Sequence, residues 1–367
     1  MCKAPPESCK TPAERRNDHN FQGGIMLKKI LIALVAILVI GVIVGLLLPR
    51  HVTVERSVAI DRPASLIYAT VNSFQLFPRW SPWQDLDPNM HQTMEGPRDG
   101  IGAKLVWSGN DKVGTGTQVI TAAAPDKSVA SDLDFGSMGT AKSVLLLAPQ
   151  GTSTKVTWRV VVDMGANPIG HYFGLMMDGM MGKDFATGLG KLKTLVEGMP
   201  NEDIAGFSAE EVQLESKPLL VVTETAAPNT AAITQAYGDG FGKIGKIMAK
   251  SKLAQAGAPL GIDRTAAGSN YSFDAGIPIA AAAGASLPAE SPANSDGVKL
   301  VQSYAGKALK TTHVGAYDAL SNSYAKLSAY MAAHGYNAKG TAMYWFVDDP
   351  GKMPQEKVRT EIYAPIG

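Results

Sequence analysis

The sequence predicts an α+β protein: an N-terminal transmembrane helix, then an antiparallel sheet packed on a long helix, then a duplicated α+β unit. Three observations predict it. Ile30 to Leu48 runs nineteen residues without a charge. Short alternating segments between Val54 and Val162 lead into a helix with a single apolar stripe. Beyond residue 210, a strand, helix, strand pattern occurs twice. Length and composition agree, because 367 residues with 45% hydrophobic and 18% charged content can fill two cores of ~100–200 residues each.

At ~1.5 Å per residue, Ile30–Leu48 nearly crosses a ~30 Å hydrocarbon layer. A cleavable signal would carry a small-x-small site after a shorter core, whereas Pro49-Arg50-His51 follows directly, so the segment is read as a retained single-pass anchor. Lys28, Lys29, Arg15 and Arg16 precede it, which places the N-terminus in the cytoplasm and the soluble domains outside the inner membrane. Arg50, Arg56 and Arg62 on the far side oppose that orientation. Residues 1–29 are polar and patternless and are expected to be disordered, with Met26 of MLKKI as the functional start.

The first soluble domain is expected over 52–198. Val54, Val58 and Ile60 share one strand face, and Asp61-Arg62-Pro63 opens a short helix over Ala64–Val71. Strands follow over 103–108, 115–123, 128–135, 141–147 and 155–162, the last with Val156, Trp158, Val160 and Val162 pointing one way. Met181, Phe185, Leu189, Leu192 and Val196 then recur at helical spacing. A curved sheet gripping that helix leaves room for a pocket. Met176, Met177, Met180 and Met181 either wall such a cavity with adaptable thioethers, or are gap-filling core or a lid on the membrane side. Trp80 and Trp83, flanking Pro82, either line an entrance or pin a loop. His91 and His171 have no partner at ligand spacing and are read as structural.

These segments carry a likeness. SVAIDRPASLIYATVNSFQLFPRWSPW, the Glu95-Gly96-Pro97 and Trp107-Ser108-Gly109-Asn110 turns, TKVTW and DFATGLGKLKTLVE resemble the SRPBCC superfamily of polyketide-cyclase and START-like helix-grip proteins. The resemblance implies a hydrophobic cavity but no particular reaction.

After a linker at 199–209, the domain over 210–367 reads as strand 212–225, helix 231–256 and strand 270–278, then strand 298–314, helix 317–334 and strand 357–365. Ala280–Gly297, rich in Ala, Pro, Ser and Gly, separates the copies as a surface connection. Arg359, Glu361 and Tyr363 share one strand face, and Tyr344 and Phe346 lie on the side opposite Trp345. Glu361 is either a partly desolvated carboxylate beside rings or a surface charge supported by Arg359. ALKTTHVGAYDALSNSYAKLSAYMAAHGY, the Tyr344-Trp345-Phe346 run and RTEIYAPI resemble the GyrI-like family, the effector-binding domain of AraC- and MerR-type regulators. That resemblance implies an acidic residue on the last strand, here Glu361, at the floor of an aromatic cleft. Tyr363 is a further candidate by sharing the face of Glu361, and Tyr237, Tyr317 and Asp274 by their place in the repeat.

Other chemistries lack their sequence requirements. Lys and Arg number 34 against 33 Asp and Glu, a net +1 that offers no field for a nucleic acid. Cys2 and Cys9 are the only cysteines, which excludes a cysteine-ligated metal or thiol chemistry downstream. Gly240–Gly245 matches G-x-G-x-x-G but stands about fifteen residues into helical sequence, the wrong context for a phosphate turn. Neither a cofactor nor a metal is expected, and no protein partner is indicated. The reading is a membrane-anchored protein binding hydrophobic or amphiphilic, cationic small molecules. Its alternatives are a hydrolase of reactive molecules with Glu361 as acid–base residue, and a ligand-dependent interaction protein.

Overall fold

The computed structural model describes residues 1, 14–136, 139–264, 270–282, 286–291 and 296–367. Cys2, Cys9 and parts of the connection at 280–297 lie outside them. The chain enters through helix α1 (Glu14–Leu47). Its Met26–Leu47 part, 22 residues, is long and apolar enough to cross a membrane and is hardly buried against the rest of the protein. Residues 14–29, expected to be disordered, instead continue this helix; no proline interrupts it before Pro49, which stops it.

The first domain is one antiparallel sheet wrapped on one helix. Its strands are β1 (His51–Ile60), β2 (His91–Glu95), β3 (Lys104–Ser108), β4 (Thr115–Ala124), β5 (Ser128–Asp134), β6 (Thr140–Gln150) and β7 (Ser153–Asp163), in the order β1-β7-β6-β5-β4-β3-β2. Helices α2 (Ala64–Val71) and α3 (Phe77–Trp80) fill the gap between β1 and β2, and the 30-residue α4 (Pro168–Glu197) closes the domain. Asn167 caps α4 by accepting from the Ile169 amide at 3.0 Å, with Pro168 at the first helical position. The predicted stripe is the buried one: Phe185, Leu189, Leu192 and Val196 are at most 1% exposed, and Met181 packs beside them.

The second domain adds β8 (Glu210–Leu214), β9 (Pro218–Ala226), α5 (Thr230–Lys250), β10 (Leu253–Gln255), β11 (Leu260–Asp263), β12 (Tyr271–Ala281), β13 (Lys299–Gln302), β14 (Gly306–Val314), α6 (Leu320–Ala333), β15 (Met343–Phe346) and β16 (Arg359–Pro365). The sheet runs β13-β9-β12-β11-β15-β16-β14-β8, with β10 also pairing β12. The duplication is visible in this order, since β9-β12-β11 with α5 mirrors β14-β16-β15 with α6 across the β11–β15 seam. That seam has three pairs, Leu260↔Trp345, Gly261↔Tyr344 and Ile262↔Met343. Each long strand expected at 212–225 and 298–314 is two strands, and β11 was not foreseen. Gly240–Gly245 lies inside α5, where a side chain at Gly240 would press within 2.9 Å of the Ala275 methyl; the glycine serves close helix–sheet packing.

The two domains touch through α2 and α6, with Ala329 and Ala333 of α6 joining the first core. Ser65 Oγ donates to Asp203 of the linker at 2.7 Å, and Arg98 donates to the His334 carbonyl at 2.8 Å while stacking 4.0 Å from the Tyr336 ring centre.

Candidate functional site

The interiors of the two domains differ. In the first, Trp158 stacks on Phe185 at 4.5 Å, and Trp80 and Trp83 meet Trp158 edge-on at 5.5 and 5.7 Å. These rings occupy space between sheet and helix, and a void beside Trp80, Ser131 and Ser143 measures about 20 Å³. Trp80, only 2% exposed, sits in this core, and Trp83, half-buried, packs against it. Met177 and Met181 pack against the same core.

The second domain holds a cavity of about 1040 Å³ between α5, α6 and the central strands β11 and β15. A drug-sized ligand occupies ~300–1,000 Å³, so the space is of ligand size. Its walls are aromatic. Tyr237 stacks on buried Phe273 at 3.9 Å and meets Phe346 edge-on at 5.1 Å, and Tyr317 meets Phe346 at 5.5 Å. Gly261 is the reason Tyr237 reaches the sheet: a Cβ there would collide with the Tyr237 hydroxyl. Asp318, Asp348, Asp349 and Lys352 also line the cavity. Asp349 is paired with Lys352 at 3.2 Å and Asp348 with Arg359 at 2.8 Å.

At the end of β11 a carboxylate enters this aromatic space. Tyr344 donates to Asp263 Oδ2 at 2.9 Å, and Tyr271 donates to Asp263 Oδ1. Among the described residues, Asp263 has no ion-pair partner; the neighbouring Arg264 turns to Asp274 at 2.6 Å instead. Desolvation raises the Asp263 carboxyl above its ordinary pKa, and the two tyrosine hydrogen bonds only partly offset it. Burial likewise raises the Tyr237, Tyr271 and Tyr344 hydroxyls, which therefore stay protonated donors.

Known families fit both halves of this arrangement. Residues 51–197 match the family described as polyketide cyclase / dehydrase and lipid transport, and residues 209–366 match the GyrI-like small molecule binding domain. The chain carries an SRPBCC domain followed by a GyrI-like domain. No curated protein matches the sequence significantly. Similar solved structures include the C-terminal domain of EcmrR (16% identity, TM-score 0.37, covering 44% of this chain and 97% of that one). A hydrolase from Listeria innocua (15%, 0.32, 43% and 91%) and the KanY protein (18%, 0.32, 40% and 99%) are similar to a like degree. At these scores they carry no functional argument.

The GyrI-like domain gathers four of the residues expected from sequence, Tyr237, Tyr317, Tyr344 and Phe346, around its cavity. Glu361, Tyr363, Trp345 and Asp274 lie on the other side of the sheet, which corrects the expected place of Glu361 at the floor. The reason is strand register: Tyr344 pairs with Ile362 and Phe346 with Thr360, so Ile362 and Thr360 share the cavity side, while Glu361 pairs with Trp345 behind it. There Glu361 is 2.9 Å from Lys310 Nζ and accepts from the Tyr363 hydroxyl at 2.7 Å. Burial alone would raise its carboxyl, but the bonds from Tyr363 and Lys310 outweigh that and hold it below its ordinary range. Asp274, facing the same way, accepts from Thr223 at 2.7 Å as well as from Arg264. Asp263, Tyr271, Phe241 and Tyr324 complete the cavity and escaped sequence reading. Alternating Tyr271 and Phe273 were a usable signal for the face of β12, but Asp263 sits on a four-residue strand with no alternation to read. Among the described residues, no cluster of metal-ligating side chains occurs.

Proposed function

We propose that this chain is a membrane-anchored binding protein whose GyrI-like domain holds a lipophilic or amphiphilic cation over Asp263. The single observation that supports this most is a carboxylate that has no cationic partner among the described residues, set among aromatic rings inside a ligand-sized cavity. A diffuse organic cation answers both features at once: it neutralises the carboxylate in a desolvated place and is attracted by ring faces. Asp318 at the cavity favours the same sign of charge, whereas Asp348 and Asp349 are already paired with Arg359 and Lys352. Hydrolysis through Glu361 loses its support, because that carboxylate is engaged by Lys310 and Tyr363 outside the cavity.

Anchoring is part of the proposal. Met26–Leu47 at ~1.5 Å per residue spans ~33 Å. Contacts of α4 to Gly41 and Gly45 favour a helix that stays with the folded chain rather than a removed leader. Lys28 and Lys29 favour a cytoplasmic N-terminus, with both soluble domains across the inner membrane.

The test compares tetraphenylphosphonium with tetraphenylborate, ions of the same shape and opposite charge, by calorimetry on the full chain in detergent. Tetraphenylphosphonium is expected to bind and tetraphenylborate not to, and the preference is expected to disappear in Asp263→Asn. Equal binding of both ions, or of neither, refutes the reading.

A further inference from the structure

The start of α4 is docked on the end of α1. The Tyr172 hydroxyl donates to the Gly41 carbonyl at 2.6 Å, and His171 Nδ1 lies 2.8 Å from the Gly45 carbonyl oxygen, with Nε2 3.0 Å from that of Gly165. The fit is close, since a side chain at Gly45 would come within 2.8 Å of the Pro168 carbonyl oxygen. Gly41 lies six residues before Leu47, ~9 Å back along the helix axis. The first turns of α4 therefore stand level with the last two turns of α1, not beyond its end.

What α4 shows to the outside there is apolar. Ile169, Phe173, Met176 and Met180, spaced four, three and four apart, form one helical stripe and are 60–64% exposed, and Leu175 beside them is 65% exposed. From Pro168 to Met177 there is no charged residue. The first, Asp178, is held by Arg56 at 2.8 Å. This is the opposite stripe from the one buried against the sheet, so packing within the domain does not account for it.

We infer that residues 168–180 of α4 are a second membrane contact, lying in the interfacial layer of the same bilayer that α1 crosses, with Phe173 and Met176 toward the acyl chains. The occupant is fixed by continuity: the stripe adjoins the exposed end of a helix apolar enough to span, at a depth of ~5–10 Å where interfacial helices lodge their apolar faces. The inference rests on the anchoring proposed above. It implies that the SRPBCC domain is pressed against the membrane surface by its own principal helix instead of swinging on a tether.

The experiment uses the full chain with Cys2 and Cys9 replaced by serine and one nitroxide-labelled cysteine, reconstituted in phosphatidylcholine–phosphatidylglycerol vesicles. Labels at Met176→Cys, Ile169→Cys, Val35→Cys and Lys250→Cys are compared by power saturation with oxygen and with a water-soluble nickel chelate. The expected result is that Met176→Cys and Ile169→Cys share the high oxygen and low nickel access of Val35→Cys, with Lys250→Cys the reverse. Water-like access at Met176 and Ile169 beside lipid-like access at Val35 overturns this inference and leaves the anchor standing. Water-like access at Val35 overturns the anchor and the inference together. Loss of access to both relaxants with spin–spin broadening at Met176 reveals a second copy on this face and also overturns it.

Discussion

Asp263 sets the behaviour of the cavity. Neutral Asp263 is the form that burial prefers, so its contribution to stability is fully present below the ordinary carboxyl pKa of ~3.9 and is lost as pH rises through the higher folded value. Asp263→Asn removes that loss; at neutral pH the empty variant is expected to melt at or above the wild-type temperature in a calorimetric scan. A bound cation stabilises the ionised form, so its affinity is expected to rise with pH through the raised pKa. In Asp263→Asn that pH dependence disappears, and affinity falls about tenfold to a hundredfold, the worth of a charge-assisted contact of ~1.5–3 kcal/mol. Glu361→Gln is expected to leave cation affinity within about twofold of wild type, which titration calorimetry reads directly. Gly261→Ala forces the Tyr237 hydroxyl off the sheet and is expected to cost ~1–3 kcal/mol in denaturant unfolding.

Among the elements, those with a clean period were legible and those without were not. The stripe on α4 and the alternation of β7 predicted burial residue by residue, because each runs long enough to show its face. Phe185→Ala, removing a side chain with no exposure that stacks on Trp158, is expected to destabilise the chain by ~3–5 kcal/mol in denaturant titration. Strand β11 has four residues, a glycine among them, and follows directly on sequence read as the end of a helix; nothing local distinguishes it. Parity separated Tyr344 and Phe346 from Trp345, and grouped Glu361 with Tyr363, both correctly. What parity does not carry is the register between two strands, and one step of register decides which carboxylate meets the rings. The aromatic cluster of the SRPBCC domain was hidden for a related reason: Trp80 and Trp83 are far in sequence from Trp158 and Phe185, and only the folded chain brings them to one point.

At the level of the whole molecule, the SRPBCC domain packs against the GyrI-like domain that holds the ligand-sized cavity. Arg98 joins them, and Arg98→Ala is expected to lower the melting temperature by the equivalent of ~1–2 kcal/mol, or to split one calorimetric transition into two. His334 sits at the same junction, stacked on Tyr330 at 3.9 Å. Burial lowers its pKa, against the opposing pull of the Tyr330 carbonyl and Asp99, so its contribution is present above the unfolded value near ~6.5 and is lost as pH falls through the folded one.

The joint between β11 and β15 is short for one that carries two half-domains: three residue pairs, continued by the Asp263 amide to the Ala342 carbonyl and the Phe346 amide to the Pro259 carbonyl. A guest resting on α5 from one side and α6 from the other would act as a clasp across that joint, tightening it without touching its backbone. Slower amide exchange at Gly261 and Asp263, whose amides face β15, is the expected sign in the loaded protein, and it would make occupancy something the distant edges of the sheet can feel.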